Sequence, residues 1–429
     1  MLEPAGSTNS IWLDVTSTFG WKRAAVGIVR VEAETIRYLL SIGGDNVRFC
    51  QFDRKSGCYA EVSRGFVISA LARLDAGGGN ARKFPLLSRP MQLFRRLRRY
   101  LLRRKHEPQS TRPFKARDVY ISLGLDWEQK DLRLVHAIKK KLGLKVILFC
   151  YDIIPILMPE YCWPGTVEKL PKYFVDMARC ADTVLCISEC SRDDLRKYLE
   201  SVDAPVPALE LIRLGGDIHV DPMLPPSPEV AEIIDKRYIL FVSSIEPRKN
   251  HKILCNAYKK LLESGKKDLP LLVFVGMLGG CVDDFIDALH ADRELGPYIR
   301  LLNRVSDSDL AHLYRNCLFT VYPSLYEGWG LPVAESLAYG KFCIASNAAS
   351  IPEVGGDLIE YISPEEEERW AERLSWYFQH PEELIELEKK IKQNYRPTAW
   401  RETAAVIFQT AQRMNDYKDK ELSRPCRIY

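Results

Sequence analysis

Two glutamates eight residues apart, Glu327 and Glu335, flank a Gly-Trp-Gly-Leu-Pro run in PSLYEGWGLPVAES (323–336). The residue types predict a strand that turns through Gly328 and Gly330 into a helix with Pro332 in its first turn, where a missing N–H costs nothing. Glycines let a backbone approach a ligand closely, and free N–H groups at a helix start attract phosphate. Carboxylates beside a phosphate are electrostatically misplaced unless they hold hydroxyls. The pattern therefore suits a phosphorylated ligand that also carries sugar or ribose hydroxyls. Taken alone, Glu335 reads more readily as an ordinary acid favoured by a helix N-terminus. A second segment, SSIEPRKNH (243–251), tips the balance. Arg248 and Lys249 are adjacent cations where a strand meets a helix, one a fork and one a point charge, and such a pair suits a diphosphate.

The elements that must position these residues are legible as alternating apolar runs and amphipathic stretches. In the first half, IWLDVT (11–16), NVRFCQFD (46–53), DVYISLGL (118–125), KVILFCYDIIP (145–155) and TVLCISE (183–189) read as strands. The continuous apolar runs among them suit parallel strands buried on both faces. Helical spacing fills the gaps: residues 24–44 end in Gly-Gly, residues 130–143 close at Gly143, and another helix begins at Ser191. The stretch DPMLPPSPEV (221–230), with four prolines, reads as an interdomain connection. After it the pattern restarts with strands at 237–245, 270–277, 299–303, 318–324 and 342–347, and from about 365 the chain is helical. This is β-α-β alternation in two tandem α/β domains. A length of 429 residues, 46 % hydrophobic and 28 % charged, fits two domains of roughly 200 residues.

In four segments the chain resembles glycosyltransferase family 4, the retaining enzymes of the GT-B fold. These are EPRKNH (246–251), LLNRVSDSDLAHLYRNC (301–317), YPSLYEGWGLPVAESLAYG (322–340) and CIASNAASIPEVGGD (343–357). A weaker likeness runs through 151–161 and 180–195. The resemblance implies two Rossmann-like, doubly wound domains facing across a cleft. Residues 1–225 would bind the acceptor, 226–395 the nucleotide-sugar donor, and a helix within 396–429 would pack back on the first domain. It also implies roles. Glu327 would bind donor-sugar hydroxyls, Glu335 the ribose, and Lys249 with Arg248 the departing diphosphate. Backbone from Gly328 through Trp329 and Gly330 to Leu331 would touch phosphate or sugar, Arg304 and Val305 would flank the base, and Gly27 would approach from the first domain. Asp152 is the first-domain candidate at the reaction centre, although Tyr151 stands where many members carry His. Ser243 and Ser244 occupy positions where many carry a basic residue, which throws more of the phosphate charge on Arg248. The activity implied is retaining transfer of a hexose, with GDP-mannose favoured over dTDP- or UDP-sugars, to a lipid-linked or nascent bacterial surface polysaccharide. No cofactor or metal is expected, since no DxD-type pair is placed to hold one.

The net charge of +4 is uneven: residues 76–106 hold ten Lys or Arg and no acid, so the remainder is net −6. Within 89–105, MQLFRRLRRYLLRRK (91–105) sets Leu93, Phe94, Leu97, Tyr100 and Leu101 on one helical face and arginines on the other. An anionic membrane surface is the partner this fits, a solvated helix on the first domain the alternative. Nucleic acid is disfavoured, because no stacking platform accompanies the arginines. No secretory signal or long apolar window occurs, so the expectation is a cytoplasmic protein, peripheral on the inner face of the plasma membrane through 89–105. The twelve cysteines form no CxxC pair and read as buried, reduced thiols. Two other classes fit the sequence less well than this enzyme. A non-catalytic nucleotide-sugar-binding subunit is disfavoured because Lys249 and both glutamates are present, and a dinucleotide oxidoreductase because no GxGxxG follows the first strand of either domain.

Overall fold

The computed structural model describes residues 9–22, 25, 27–75, 112–218, 224–280, 282–303 and 305–416. The expected basic segment 89–105 and Arg304 lie outside them. Two sheets carry the chain. The first holds β1 (Ile11–Asp14), β2 (Val47–Asp53), β3 (Cys58–Val62), β4 (Val119–Ile121), β5 (Lys145–Cys150), β6 (Thr183–Cys186) and β7 (Ala208–Leu211), in the order β3-β2-β1-β4-β5-β6-β7. All pairings are parallel except the β2–β3 hairpin. The second sheet holds β8 (Tyr238–Val242), β9 (Leu271–Val275), β10 (Ile299–Leu302), β11 (Thr320–Tyr322), β12 (Cys343–Ser346) and β13 (Glu360–Ile362), in the order β10-β9-β8-β11-β12-β13, parallel throughout. Each order reverses beside its first strand, between β1 and β4 and between β8 and β11. Open α/β sheets bind ligands beyond the strand C-termini at such points. The central strands are sealed on both faces, as Val119 to Ile121 and Ile239 to Phe241 show at 0 % exposure. This is the GT-B architecture of two Rossmann-like domains.

Local chemistry moves some boundaries from their expected places. The run 118–125 pairs as far as Ile121, with Ser122 N–H still donating to Ile147 O of β5 at 3.0 Å; the turn after it leaves the sheet, Leu125 N–H donating to Ser17 Oγ and Asp126 N–H to Gly124 O. The helix expected from Ser191 begins at Glu189, since Ser188 has the extended backbone of a cap and accepts from Ser191 N–H at 3.0 Å. Of the described cysteines, all free thiols, Cys58, Cys162 and Cys190 are only partly buried. No helix among the described residues is long and apolar enough to cross a membrane.

The last helix, Trp400–Asp416, lies on the first domain, against the helix Gly27–Ile42. Phe408 meets Tyr38 at 6.5 Å between ring centroids, Thr403 Oγ1 donates to Arg213 O, and Arg413 pairs with Glu210 at 2.6 Å. Polar contacts also join the two domains. The Glu353 carboxylate accepts from Glu189 and Cys190 N–H at 2.7 and 2.9 Å, capping the helix Glu189–Ser201 from the other domain. Tyr326 donates its hydroxyl to Asp194. Ser191 Oγ lies 3.0 Å from Tyr151 O and 3.2 Å from Gly328 O. A Cβ at Gly328 would stand 2.3 Å from Tyr151 O, so only glycine permits this approach.

Candidate functional site

Beyond the C-terminal ends of β8 and β11 two loops converge. The loop after β8 forms a short 3-10 turn, Pro247–Lys249, ended by Asn250 at φ +60° and followed by the helix His251–Glu263. The Asn250 amide ties this turn to Pro323 O and Pro364 O at 3.2 and 2.9 Å. The loop after β11 runs from Pro323 to Gly330, whose φ of +113° suits glycine, and the helix Leu331–Ala338 starts there with Pro332 in its first turn. Ser350 Oγ donates to Glu327 O and Trp329 O at 2.8 and 3.0 Å, and Leu325 N–H to Arg248 O at 2.9 Å. The two loops are thus held to each other through the backbone.

Lys249, Arg248 and Glu327 meet here. Lys249 Nζ lies 2.5 Å from Glu327 Oε1 and 3.3 Å from the Tyr322 hydroxyl. Arg248 Nη1 lies 3.2 Å from the same Oε1 and donates to Tyr326 O, while Nη2 donates to Glu246 at 2.8 Å. Burial raises the Glu327 pKa, but Lys249 and Arg248 outweigh it and bring the carboxyl to about 2. Burial pulls the Lys249 ammonium below its usual range against the attraction of Glu327, and Arg248 adds to the lowering by opposing a second positive charge. Two cations therefore share one deeply held carboxylate. Asp152 stands across the cleft with part of its surface open. The protein packed round it raises its pKa, Arg248 pulls the other way, and Oδ1 accepts from Ile154 N–H at 3.0 Å. Tyr151 points away, donating its hydroxyl to Leu123 O at 2.6 Å.

Glu335 is separate. Its carboxylate accepts from the Tyr314 hydroxyl at 2.9 Å and shares no hydrogen-bond partner with Glu327. Burial raises its pKa to about 7, with Arg30 and Tyr314 opposing. Gly328 and Gly330 are buried in the loop, Leu331 half-buried at the helix start, and Trp329 buried with an indole N–H that has no partner among the described residues. Val305 is half-buried against the apolar cluster that includes Leu302, Leu313 and Tyr314. Gly27, exposed and at φ +50°, is the first residue of its helix.

Residues 227–397 match the family model described as glycosyl transferases group 1. These residues form a glycosyl transferases group 1 domain. It contains every second-domain residue placed above. The chain is 30 % identical over 211 residues to O-antigen chain mannosyltransferase B of Escherichia coli, covering 48 % of this chain and 54 % of that protein. It is 25 % identical over 228 residues to the MMP alpha-(1->4)-mannosyltransferase of Mycolicibacterium hassiacum, covering 52 % and 51 %. The matches thus span about half the length of these relatives. Sucrose-phosphate synthase from Thermosynechococcus elongatus is similar in structure over 96 % of this chain and 100 % of its own, at a TM-score of 0.61 and 14 % identity. Anabaena HepE in complex with UDP and glucose is similar over 97 % and 99 %, at 0.57 and 14 %. Both likenesses carry the group 1 domain together with the domain facing it, and they show the fold.

Sequence reasoning missed Arg30, Tyr314, Tyr322, Glu353 and the Asp194–Tyr326 contact. It also missed a buried cluster beyond β1 and β4. There Lys130 Nζ lies 3.0 Å from Asp14, 2.8 Å from Asp126 and 2.5 Å from Ser122 Oγ. Glu32 stands beside it, accepting from Thr18 N–H at 2.7 Å. The i,i+4 spacing of Asp126 and Lys130 was the one local signal; the rest joins distant segments.

Proposed function

We propose that this chain is a retaining glycosyltransferase that moves a hexose, with mannose from GDP-mannose the first candidate, onto a lipid-linked or nascent bacterial surface polysaccharide. The observation that carries the reading is the pair of cations, Arg248 and Lys249, held on a single shared carboxylate at the switch between β8 and β11. Breaking the bond from C1 to the diphosphate builds negative charge on the leaving group and positive charge on the sugar. Cations fixed before the reaction lower that barrier most. Glu327 has a second role once a donor arrives: its carboxylate accepts from sugar hydroxyls while its two cations turn toward phosphate. Asp152 faces this point from the first domain, where the acceptor hydroxyl must arrive. Because the protein supplies the positive charge, the reading includes no metal. The mannosyltransferase relatives support the choice of mannose, and residues 89–105 are the proposed contact with an anionic membrane.

The test is donor hydrolysis and thermal shift with GDP-, UDP- and dTDP-sugars, with and without EDTA. GDP-mannose should raise the melting temperature and be hydrolysed in EDTA, and Lys249→Ala and Glu327→Ala should abolish most turnover in folded protein. No response to any nucleotide sugar, or wild-type rates in both variants, would sink the reading. Flotation with anionic vesicles, with and without residues 89–105, tests the membrane contact: equal binding by the deleted form refutes it.

A further inference from the structure

Arg30 lies one turn into the helix Gly27–Ile42 on the first-domain side of the cleft, and its guanidinium reaches the second domain. Nη2 lies 3.1 Å from Asp307 Oδ2, at the start of the helix Asp307–Asn316, and the charge is close enough to Glu335 to lower that carboxyl's pKa. The side chain also stands 6.0 Å from the centroid of Trp400, in the helix that returns to the first domain. Trp400 is itself fixed, its indole donating to Asp217 O at 3.1 Å. Three segments of the chain thus hold one arginine over the mouth of the group 1 domain.

Among the described residues, the hydrogen bonding of Arg30 is only partly filled. The side chain is only 11 % exposed, yet Nη2 makes its one hydrogen bond among the described residues, to an aspartate that is 50 % exposed. An arginine offers five N–H donors in a fixed fork, and Nε and Nη1 have no protein partner among the described residues. The other two cations differ. Arg248 is taken up by Glu246, Glu327 and Tyr326 O, and Lys249 by Glu327 and Tyr322. An ion pair with a half-exposed partner holds little, whereas a fork onto phosphate oxygens is among the strong charge-assisted contacts. If Glu335 grips a ribose and Arg248 with Lys249 receive the far end of the diphosphate, the phosphate nearest the ribose passes on the Glu335 side, where Arg30 stands.

We propose that Arg30 completes the donor site from the first domain, leaving Asp307 to fork onto the phosphate next to the ribose of a nucleoside diphosphate. This rests on the reading of Glu335 and Lys249 as donor-binding. The weak pair with Asp307 keeps the guanidinium extended across the cleft in the free protein. Donor binding then exchanges one carboxylate for phosphate oxygens and draws the two domains together on the ligand.

The experiment is isothermal titration of the full chain with GDP and with UDP, followed by the better ligand against Arg30→Ala, Arg30→Lys and Asp307→Asn. Melting temperatures check that each variant is folded. Arg30→Ala should weaken binding roughly ten- to a hundredfold. Arg30→Lys, which keeps a point charge but not the fork, should recover part of it. Asp307→Asn should bind as well as wild type or tighter, since the arginine is released. If Arg30 only latched the domains together, Asp307→Asn would lose affinity as Arg30→Ala does, and that result overturns the proposal, as does Arg30→Ala binding within twofold of wild type. Wild-type protein that binds neither diphosphate overturns the donor reading and this proposal with it. Wild-type binding that Arg30→Ala leaves unchanged overturns this proposal alone.

Discussion

Each half of the molecule sets a lysine among carboxylates beyond the C-terminal ends of its central strands, yet the two lysines are in opposite situations. Lys130 faces Asp14, Asp126 and Glu32 with its side chain at 0 % exposure. Burial works against its charge, but the three carboxylates outweigh it and hold the ammonium above its usual pKa. Lys249 shares one carboxylate with Arg248, and burial prevails, so its pKa falls. The first cluster is rich in anions and closed; its single cation is fully used. The second is rich in cations and borders the cleft. Equivalent places in two sheets thus hold a closed, anion-rich knot in one and a cation-rich cluster bordering the cleft in the other, the latter being the proposed diphosphate site, and charge balance makes the difference.

The comparison breaks most visibly if the first cluster proves dispensable. Lys130→Met leaves two buried aspartates facing each other without their cation, and removing one partner of a buried pair costs about 3–5 kcal/mol. Chemical denaturation should show a loss of that size. A loss below about 1 kcal/mol would mean that the cluster does not hold the fold. Lys249→Met should do the reverse. Arg248 still neutralises Glu327 at 3.2 Å, so stability should fall less than in Lys130→Met. Transfer should drop on the order of 100-fold, the usual cost of one preorganised charge. Equal stability losses in the two variants would erase the distinction.

The difference in charge balance also explains what could be read from the sequence. The second cluster comes from two short segments, 246–251 and 323–336, in which the chemistry sits inside a contiguous motif. The first joins Asp14, Glu32, Asp126 and Lys130 across more than 110 residues, and each in isolation looks like a solvated surface charge. Only packing at the switch point turns them inward. Arg30 escaped notice for the same reason, its partner being 277 residues away. The two α/β sheets were legible because buried parallel strands need continuous apolar runs. The end of β4 was not, because the Ser17 hydroxyl, 108 residues away in sequence, takes the Leu125 N–H and turns the chain out of the sheet, which no local pattern reveals.

Glu32 sharpens the contrast through pH. Burial raises its pKa from 4.5 to about 7, against the pull of Lys130, and Oε2 has no partner among the described residues. A carboxyl whose pKa is higher in the fold than in the unfolded chain stabilises the fold below about pH 4.5, and this contribution is lost as pH rises through about 7. The full shift corresponds to about 3 kcal/mol. Wild type should therefore be less stable at pH 8 than at pH 5. Glu32→Gln should remove about that much of the slope, measured by denaturation at the two values. An unchanged slope would show that Glu32 is ionised throughout.

The smallest effect concerns Glu335, a carboxyl of the proposed donor site whose pKa burial raises to about 7. Ionised, it is an acceptor at both oxygens and can receive two ribose hydroxyls; protonated, it spends one oxygen as a donor. Affinity for the donor should accordingly rise as pH climbs from 6 to 8, by roughly three- to tenfold. GDP-mannose is the ligand to use, since its substituted pyrophosphate does not titrate in that range, and isothermal titration is the measurement. Glu335→Gln should bind more weakly and lose the pH dependence. Arg30 lowers the Glu335 pKa across the cleft, so Arg30→Ala should move the midpoint of the affinity profile to higher pH. A midpoint that stays in place would mean that the guanidinium and the carboxylate do not act on the same stretch of ligand.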